Sequence, residues 1–259
     1  MTEVQTSIIG EAKRAVFTTP GRCTVCLGDV IFSATGTWLR DELFCPNCRS
    51  LPRERALFHV LRTQFPTWTS MAIHESSPGT AGASRVLREN CAGYVPSYYF
   101  PGKPLGAEVS GFRNENLEEL TFGDARFDLH ITQDVMEHVL DPDRAFAELA
   151  RTLKTGGAHV FTTPIVNGGG RSVVRARHGQ DGGVEKLLPD VYHGDPINSA
   201  GTLVTVDWGL DICERIFTAS GMFTVVFAIQ DPSMGVLGAY TEVLVSRQFC
   251  ESPHDRRSS

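Results

Sequence analysis

From Ser70 onward, short apolar runs alternate with segments whose apolar positions recur at helical spacing. That alternation predicts a parallel sheet with helices on both faces. A strand covered on both sides reads as an unbroken apolar run, and parallel strands need a helical crossover between them. Met71-Ala72-Ile73 reads as a first strand. It runs into His74-Glu75-Ser76-Ser77-Pro78-Gly79, followed by a helix from about Thr80 to Arg88. A second strand is expected near Tyr94 to Tyr99, and a third crossover ends at Asn116-Leu117-Glu118-Glu119-Leu120. The best-defined strand is Phe127 to Thr132, ending in Gln133-Asp134. The next helix has Asp141 as N-cap and Pro142 at its first position. Ala145, Phe146, Leu149 and Leu153 lie on one face, and Gly156-Gly157 ends it. His159 to Thr163 is the following strand, stopped by Pro164. A helix through Ile212, Ile216 and Phe217, capped at Gly221, and strands at Phe223–Ile229 and Tyr240–Val245 complete the pattern.

The first fifth of the chain reads differently. Pro52 opens a helix, Arg53 to about Phe65, with Ala56, Leu57, Val60 and Leu61 as its apolar stripe. Ahead of it stand Cys23-x2-Cys26 and Cys45-x2-Cys48, separated by 18 residues. Each CxxC pair aims two thiolates at one point, so two such pairs at this separation predict a tetrahedral four-cysteine zinc site. Four thiolates close the coordination sphere, which makes the zinc structural, and its binding would supply the folding energy of so short a segment. The intervening stretch, Val30-Ile31-Phe32 to Trp38-Leu39, reads as a hairpin turning near Gly36. The expected organisation is a tail at 1–20, a zinc ribbon at 21–50, a connecting helix at 51–69, a catalytic domain at 70–248 with an insertion at 165–203, and a disordered tail at 249–259.

Composition narrows the classes. Of 259 residues 41% are hydrophobic, enough for a sizeable core and too many for wholesale disorder. No apolar run approaches the ~20 residues of a membrane span, and no signal peptide is evident, so a cytoplasmic protein is expected. With no export signal, metal explains the clustered cysteines better than disulfides do. Net charge is −6, and residues 1–70 carry +2 of it, leaving −8 for the rest. An acidic catalytic domain argues against a nucleic-acid partner, whose phosphates favour clustered Lys and Arg.

The stretch FDLHITQDVMEHVLDPDRAFAELARTLKTGGAHVFTTP resembles the fourth-to-fifth-strand segment of class I S-adenosylmethionine (SAM)-dependent methyltransferases. It is most similar to the branch of small-molecule O-methyltransferases that includes those of ubiquinone biosynthesis, and the resemblance spans roughly residues 70–248. It implies a Rossmann-like α/β fold with a seven-stranded sheet whose last strand is antiparallel, and SAM as cofactor. The family's first turn is an acid followed by G-x-G-x-G. Here Glu75 stands for the acid, and Ser77, Gly79 and Ala81 stand for the glycines. By resemblance, Glu75, Ser76, Ser77, Pro78 and Gly79 contact the cofactor, and the helix N-terminus after them offers free N–H groups. Ser97 stands near the position of the ribose-binding acid, Asn116 and Leu117 flank the adenine, and Gln133 and Asp134 lie near the methionine end.

Methyl transfer needs alignment of nucleophile, methyl and leaving sulfur, and a hydroxyl acceptor also needs a base. His138 and Asp134 are candidates, as is His193 in Tyr192-His193-Gly194, which would close over the site. Glu137 reads as solvated or structural, since no nearby His-x-x-His supports a catalytic metal. Arg171, Arg175 and Arg177 in the glycine-rich insertion would suit an anionic acceptor. The leading reading is O-methylation of a small molecule, sugar or natural-product intermediate. Two alternatives stay open. One is an RNA methyltransferase gripping RNA through the ribbon, with Arg53 and Arg55 as contacts. The other is a catalytically inactive methyltransferase-fold binding subunit, motivated by the substituted glycine turn.

Overall fold

The computed structural model describes residues 14–194 and 200–248. Residues 1–13 of the tail expected at 1–20, and the whole of the tail expected at 249–259, lie outside the described residues. An antiparallel hairpin, β1 (Phe17–Arg22) and β2 (Asp29–Ala34), opens the fold and is followed by the short helix α1 (Leu39–Glu42) and by α2 (Pro52–Gln64). Then come β3 (Ala72–Ser76), α3 (Gly82–Asn90), β4 (Gly93–Tyr98), β5 (Glu108–Val109), β6 (Phe112–Asn114), β7 (Phe127–Gln133), α4 (Pro142–Thr152) and β8 (Leu153–Thr162). The insertion forms short paired strands: β9 (Val173–Val174), β10 (Ala176–His178), β11 (Val184–Lys186), β12 (Tyr192–His193), β13 (Thr202–Leu203) and β14 (Val206–Asp207). α5 (Ile212–Ser220), β15 (Phe223–Phe227) and β16 (Val243–Arg247) finish the chain.

The central sheet has eight strands in the order β15-β16-β8-β7-β3-β4-β6-β5. β6, β4, β3, β7 and β8 are parallel, and β16 runs antiparallel between β8 and β15. The antiparallel late strand is as expected. The eighth strand is the two-residue β5, which pairs antiparallel to β6 at the sheet edge. Reversal of the parallel order on either side of β3 opens a crevice at the carboxyl ends of β3 and β7, where ligands of doubly wound sheets bind.

The expected ribbon hairpin needs correction. Val30-Ile31-Phe32 pairs backward with β1, not forward with Trp38-Leu39, and Gly36 sits in a bend before α1. The first cysteine knuckle therefore forms the tip of a hairpin that begins at Phe17, ahead of the expected boundary at residue 21. The helix ahead of β8 also ends earlier than expected. α4 stops at Thr152 and the chain turns straight into β8, so Leu153 and the two glycines belong to the strand. Asp141 caps α4 as expected, its side chain accepting from the Arg144 amide.

Strand alternation divides the core in two. Ile73, Leu129, Ile131, Ala158, Val160, Val243 and Val245 face α2, α3 and the cysteine module, and with Val25, Phe32 and Leu43 they form one continuous apolar cluster. Phe161 and Leu244 face α4, α5 and Trp208. Between these apolar positions, the α4 side of the three central strands carries His74, His130 and His159 in register, all fully buried. Ser97 Oγ lies 2.8 Å from His74 Nε2, and His74 Nδ1 lies 2.9 Å from His130 Nδ1. His130 Nε2 is 2.8 Å from Thr152 Oγ1, and His159 Nε2 is 2.9 Å from Thr132 Oγ1. Burial pushes His74 and His159 down to about 3, and His130 well below the ordinary imidazole range.

Candidate active site

The four ribbon cysteines converge. Cys23 Sγ is 3.7 Å from Cys48 Sγ, and Cys26 Sγ is 3.8 Å from Cys45 Sγ. Thiolates about 2.3 Å from a common tetrahedral ion stand roughly 3.8 Å apart, so the donor set and its spacing fit zinc. The module leans directly on the first turn of the sheet domain. The Cys48 carbonyl accepts the Gly82 amide at 2.9 Å, and Glu54 of α2 accepts the Leu51 and Ala83 amides at 2.6 and 2.9 Å. Ser84 Oγ accepts the Gly79 amide at 2.9 Å. The expectation of free N–H groups at the start of α3 is thus corrected for Gly79, Gly82 and Ala83, whose donors are used internally.

Glu75, at the end of β3, is buried and collects three donors. Ser84 Oγ and Tyr94 Oη reach it at 2.6 Å, and Gln133 Nε2 reaches it at 2.8 Å. Burial raises its carboxyl against those three hydrogen bonds. The Gln133 Oε1 beside it is buried and has no hydrogen-bond partner among the described residues. Ser77 adopts the left-handed region, with φ 55°, and its amide donates to the Ser97 carbonyl at 2.8 Å. A Cβ built on Gly79 would meet nothing closer than 3.7 Å. The fold itself does not demand glycine there, so an open approach at the turn remains. Ser97 is placed differently from the other turn residues. Its hydroxyl faces His74 in the core, and its backbone serves Ser77. Leu117 is buried in the α4-side cluster, and the Asn116 side chain accepts the Glu118 amide at 3.0 Å.

Asp134 is an anchor. Arg40 Nη2 lies 2.7 Å and Arg53 Nε 2.8 Å from its Oδ2, and Thr162 Oγ1 donates to its Oδ1 at 3.0 Å. Burial alone would raise this carboxyl, but the Arg53 and Arg40 guanidiniums outweigh it and hold Asp134 below the ordinary carboxylate range. That makes it a weak proton acceptor and corrects its assignment as a base. Arg53 also pairs with Asp41, while Arg55 is fully buried, stacked on Phe32 and donating to the Leu43 and Gly235 carbonyls at 2.8 and 2.6 Å. Neither arginine is available to grip RNA. In the insertion, Arg175 pairs with Asp207 and Arg177 with Glu185, while Arg171 lines a surface cleft with Asp143, Asp211 and Glu214.

The 3-10 turn Met136–His138, directly after β7, carries the second polar group. Glu137 is only 2% exposed, so of the two roles expected for it, solvated or structural, the solvated one is corrected. Thr163 Oγ1 donates to its Oε2 at 2.9 Å. Burial, and next the charge of Asp134, push its carboxyl up to about 8. His138 Nδ1 lies 2.8 Å from the Leu203 carbonyl on β13. β12 pairs with β13 and carries His193 to the same place, with the two imidazoles edge to face at 5.1 Å. Desolvation lowers His193. Thr205 fastens the insertion to the turn, donating through its amide to the Glu137 carbonyl at 2.7 Å and through Oγ1 to that of Val139 at 2.6 Å.

The structure thus gathers Glu75, Gln133 and the glycine turn at one end of the crevice, and Glu137, His138 and His193 at the carboxyl side of β7 and β8. Sequence reasoning found the two histidines but missed that Glu137 joins them. It also missed the clasp of Arg40 and Arg53 on Asp134.

Residues 99–161 match the family profile described as "Methyltransferase domain". The matched stretch runs from the end of β4 through β7 and α4 into β8. It gives the chain a methyltransferase-domain segment and marks it as a transferase enzyme. Among solved structures, the chain is similar to a SAM-dependent methyltransferase from Mesorhizobium loti (18% identity, 74% of this chain and 98% of that one, TM-score 0.48). It is also similar to the Burkholderia thailandensis 1,6-didemethyltoxoflavin-N1-methyltransferase (14% identity, 76% and 78% covered, TM-score 0.45). A third is a Haloferax volcanii complex of the Trm112 methyltransferase activator and its putative methyltransferase partner (14% identity, 75% and 89% covered, TM-score 0.45). No curated protein matches the chain at the sequence level.

Proposed function

We propose that the chain is a SAM-dependent methyltransferase that methylates a hydroxyl of a small molecule, sugar or natural-product intermediate, with zinc held by Cys23, Cys26, Cys45 and Cys48. The observation that carries this reading is the coincidence of the methyltransferase-domain segment with a β3–β7 crevice that keeps a buried acid, Glu75, and an unpartnered buried acceptor, Gln133 Oε1. SAM, when bound, supplies an electrophilic methyl on a sulfonium. Glu75, Ser76, Ser77, Pro78 and Gly79 would line its methionine side, where Gln133 Oε1 would serve as an acceptor. Asn116 and Leu117 would flank the base.

The chain's own contribution is mostly positional. The left-handed turn at Ser77 bends the backbone out of the sheet, and the bare Gly79 leaves the turn open to close approach. Asp134 fixes the end of β7 through its arginines, so that Glu137 and His138 stand at a set distance from the turn. His138 and His193 would take up the proton that leaves the hydroxyl. Isothermal calorimetry with SAM and S-adenosylhomocysteine tests the proposal. Micromolar binding is expected, and absence of affinity for both ligands would overturn it.

A further inference from the structure

We infer that β15 is an interface strand, on which a second copy of this chain pairs antiparallel about a two-fold axis at Val225 and joins the two central sheets into one. β15 has β16 on one side and, among the described residues, no strand on the other. A strand in that position offers a row of backbone N–H and C=O groups to a further strand. Its pairing with β16 runs residue for residue, from Phe223 with Arg247 to Phe227 with Val243, without a bulge. The outer side of the strand is therefore regular as well.

The opposite edge of the same sheet is protected. β5 is only two residues long and carries the exposed Glu108. It lies between left-handed residues, Gly106 before it and Ser110 and Gly111 after it. Short length, charge and sharp turns of this kind block further pairing. β15 has none of these devices. Its sequence, FTVVF, holds no charge, proline or glycine and consists of residues that favour strands. Phe223 and Val225 are nevertheless 50% and 57% exposed. Phe217 of α5, 48% exposed, lies against Phe223 with ring centroids 4.9 Å apart, and extends the apolar strip beyond the strand. An uncharged apolar strip along a regular edge is the pattern of a surface that is covered by another chain.

The strand itself indicates which chain. FTVVF reads nearly alike in both directions about Val225. A two-fold contact uses the same patch on both copies, so the patch must complement itself. Antiparallel pairing centred on Val225 sets Phe223 against the partner's Phe227, Thr224 against the partner's Val226, and Val225 against its own counterpart. The first pair is aromatic with aromatic and the others are β-branched with β-branched, the combinations that stabilise cross-strand neighbours. No pair brings like charges together. The crevice lies between β3 and β7, with β8 and β16 separating it from β15, so the pairing leaves it open.

Sedimentation velocity on the full-length, zinc-replete protein, from low to high micromolar concentration, should show a dimer. Val225→Lys sets two ammonium groups against each other on the axis and should weaken that dimer at least about tenfold, with unchanged near-ultraviolet circular dichroism. Val225→Thr keeps the shape without the charge and should remain dimeric. Opposed residues of an antiparallel pair stand about 4.5–5.5 Å apart, within the reach of a disulfide. Val225→Cys treated with oxidised glutathione, which is reduced as the bond forms, should therefore yield a disulfide joining position 225 of two chains, identified by peptide mass. A wild type that stays monomeric throughout, a Val225→Lys dimer as tight as that of the wild type, or absence of the 225–225 linkage would each overturn the interface.

Discussion

Single residues in this molecule carry loads that their type does not announce. Arg55 reads from the sequence as a helix-surface cation, yet it lies in the shared core, bonded to carbonyls of Ser50, Leu43 and Gly235. Burial lowers it to about 10, still charged at neutral pH. Arg55→Leu would leave the buried Leu43 and Gly235 carbonyls without their donor, while that of Ser50 keeps the Cys45 amide, and a loss of about 3 kcal/mol or more is expected in urea unfolding. Gly79 is the opposite case. Its φ is not in the left-handed region and a Cβ there meets only ordinary contacts. Gly79→Ala should therefore leave stability within about 0.5 kcal/mol of wild type. It should weaken SAM at least about tenfold in calorimetry, equivalent to about 1.4 kcal/mol, if the turn receives the cofactor. Glu137 shows why residue roles were only partly legible. Its third partner, His193, arrives from 56 positions away through a β12–β13 pair that has no strong pattern of its own.

Elements were read most faithfully where the chain signals its own boundaries. β7, α4 and β8 combine apolar strands with an Asp-Pro start, and these are local cues, whereas the Gly-Gly pair read as the end of α4 lies inside β8. The cysteine hairpin was misread because its first strand, FTTPGR, holds Pro and Gly and alternates between half-buried and exposed positions, so nothing marked it as the partner of β2. The histidine row across β3, β7 and β8 makes a prediction at this scale. All three rings are held neutral, below the ~6.5 of an unfolded imidazole. Between about 3 and 6.5 the unfolded chain binds more protons than the folded one. Stability is therefore fully present above pH 6.5 and falls as pH drops below it, each histidine contributing up to about 1.4 kcal/mol per pH unit. Urea midpoints at pH 7.5 and 5.5 should differ in that sense. An unchanged midpoint would mean that the rings are not buried together as described.

At the scale of the whole molecule, the expected division into ribbon, helix and catalytic domain is a division of sequence and not of packing. Cys23, Cys45 and Cys48 share one apolar cluster with Ile73, Leu129 and Val245. The Cys48 carbonyl holds the start of α3, and Arg40 and Arg53 hold the tip of β7. With zinc in the cysteine cluster, as proposed, stripping it should therefore not release a free-standing enzyme. Chelation is expected to lower the Tm of the entire chain by at least about 10 °C in a single transition, and to weaken SAM binding with it. Two separate calorimetric transitions would contradict this. The parallel character of the sheet and the turn after its first strand were legible because they follow from the alternation of strands and crossovers. The covering of the β3–β7 crevice by the cysteine module was not, because it depends on ion pairs between residues some 80 to 95 positions apart.

The line from Ser97 to Thr152 has one more consequence, which concerns the order of its protons. Thr152 Oγ1 is within reach of the Glu148 carbonyl at 2.9 Å and donates there, so towards His130 it can only accept. His130 must then carry its proton on Nε2 and accept on Nδ1, His74 must donate from Nδ1, and Ser97 must donate to His74. A single helix carbonyl at the end of α4 thereby dictates the tautomers of two rings on two strands. Thr152→Val would remove the bonds to His130 and to the Glu148 carbonyl and with them erase that direction, leaving both histidines free to exchange tautomers. Nitrogen-15 shifts of the two imidazoles would record this as a change from one fixed pattern to an average of two.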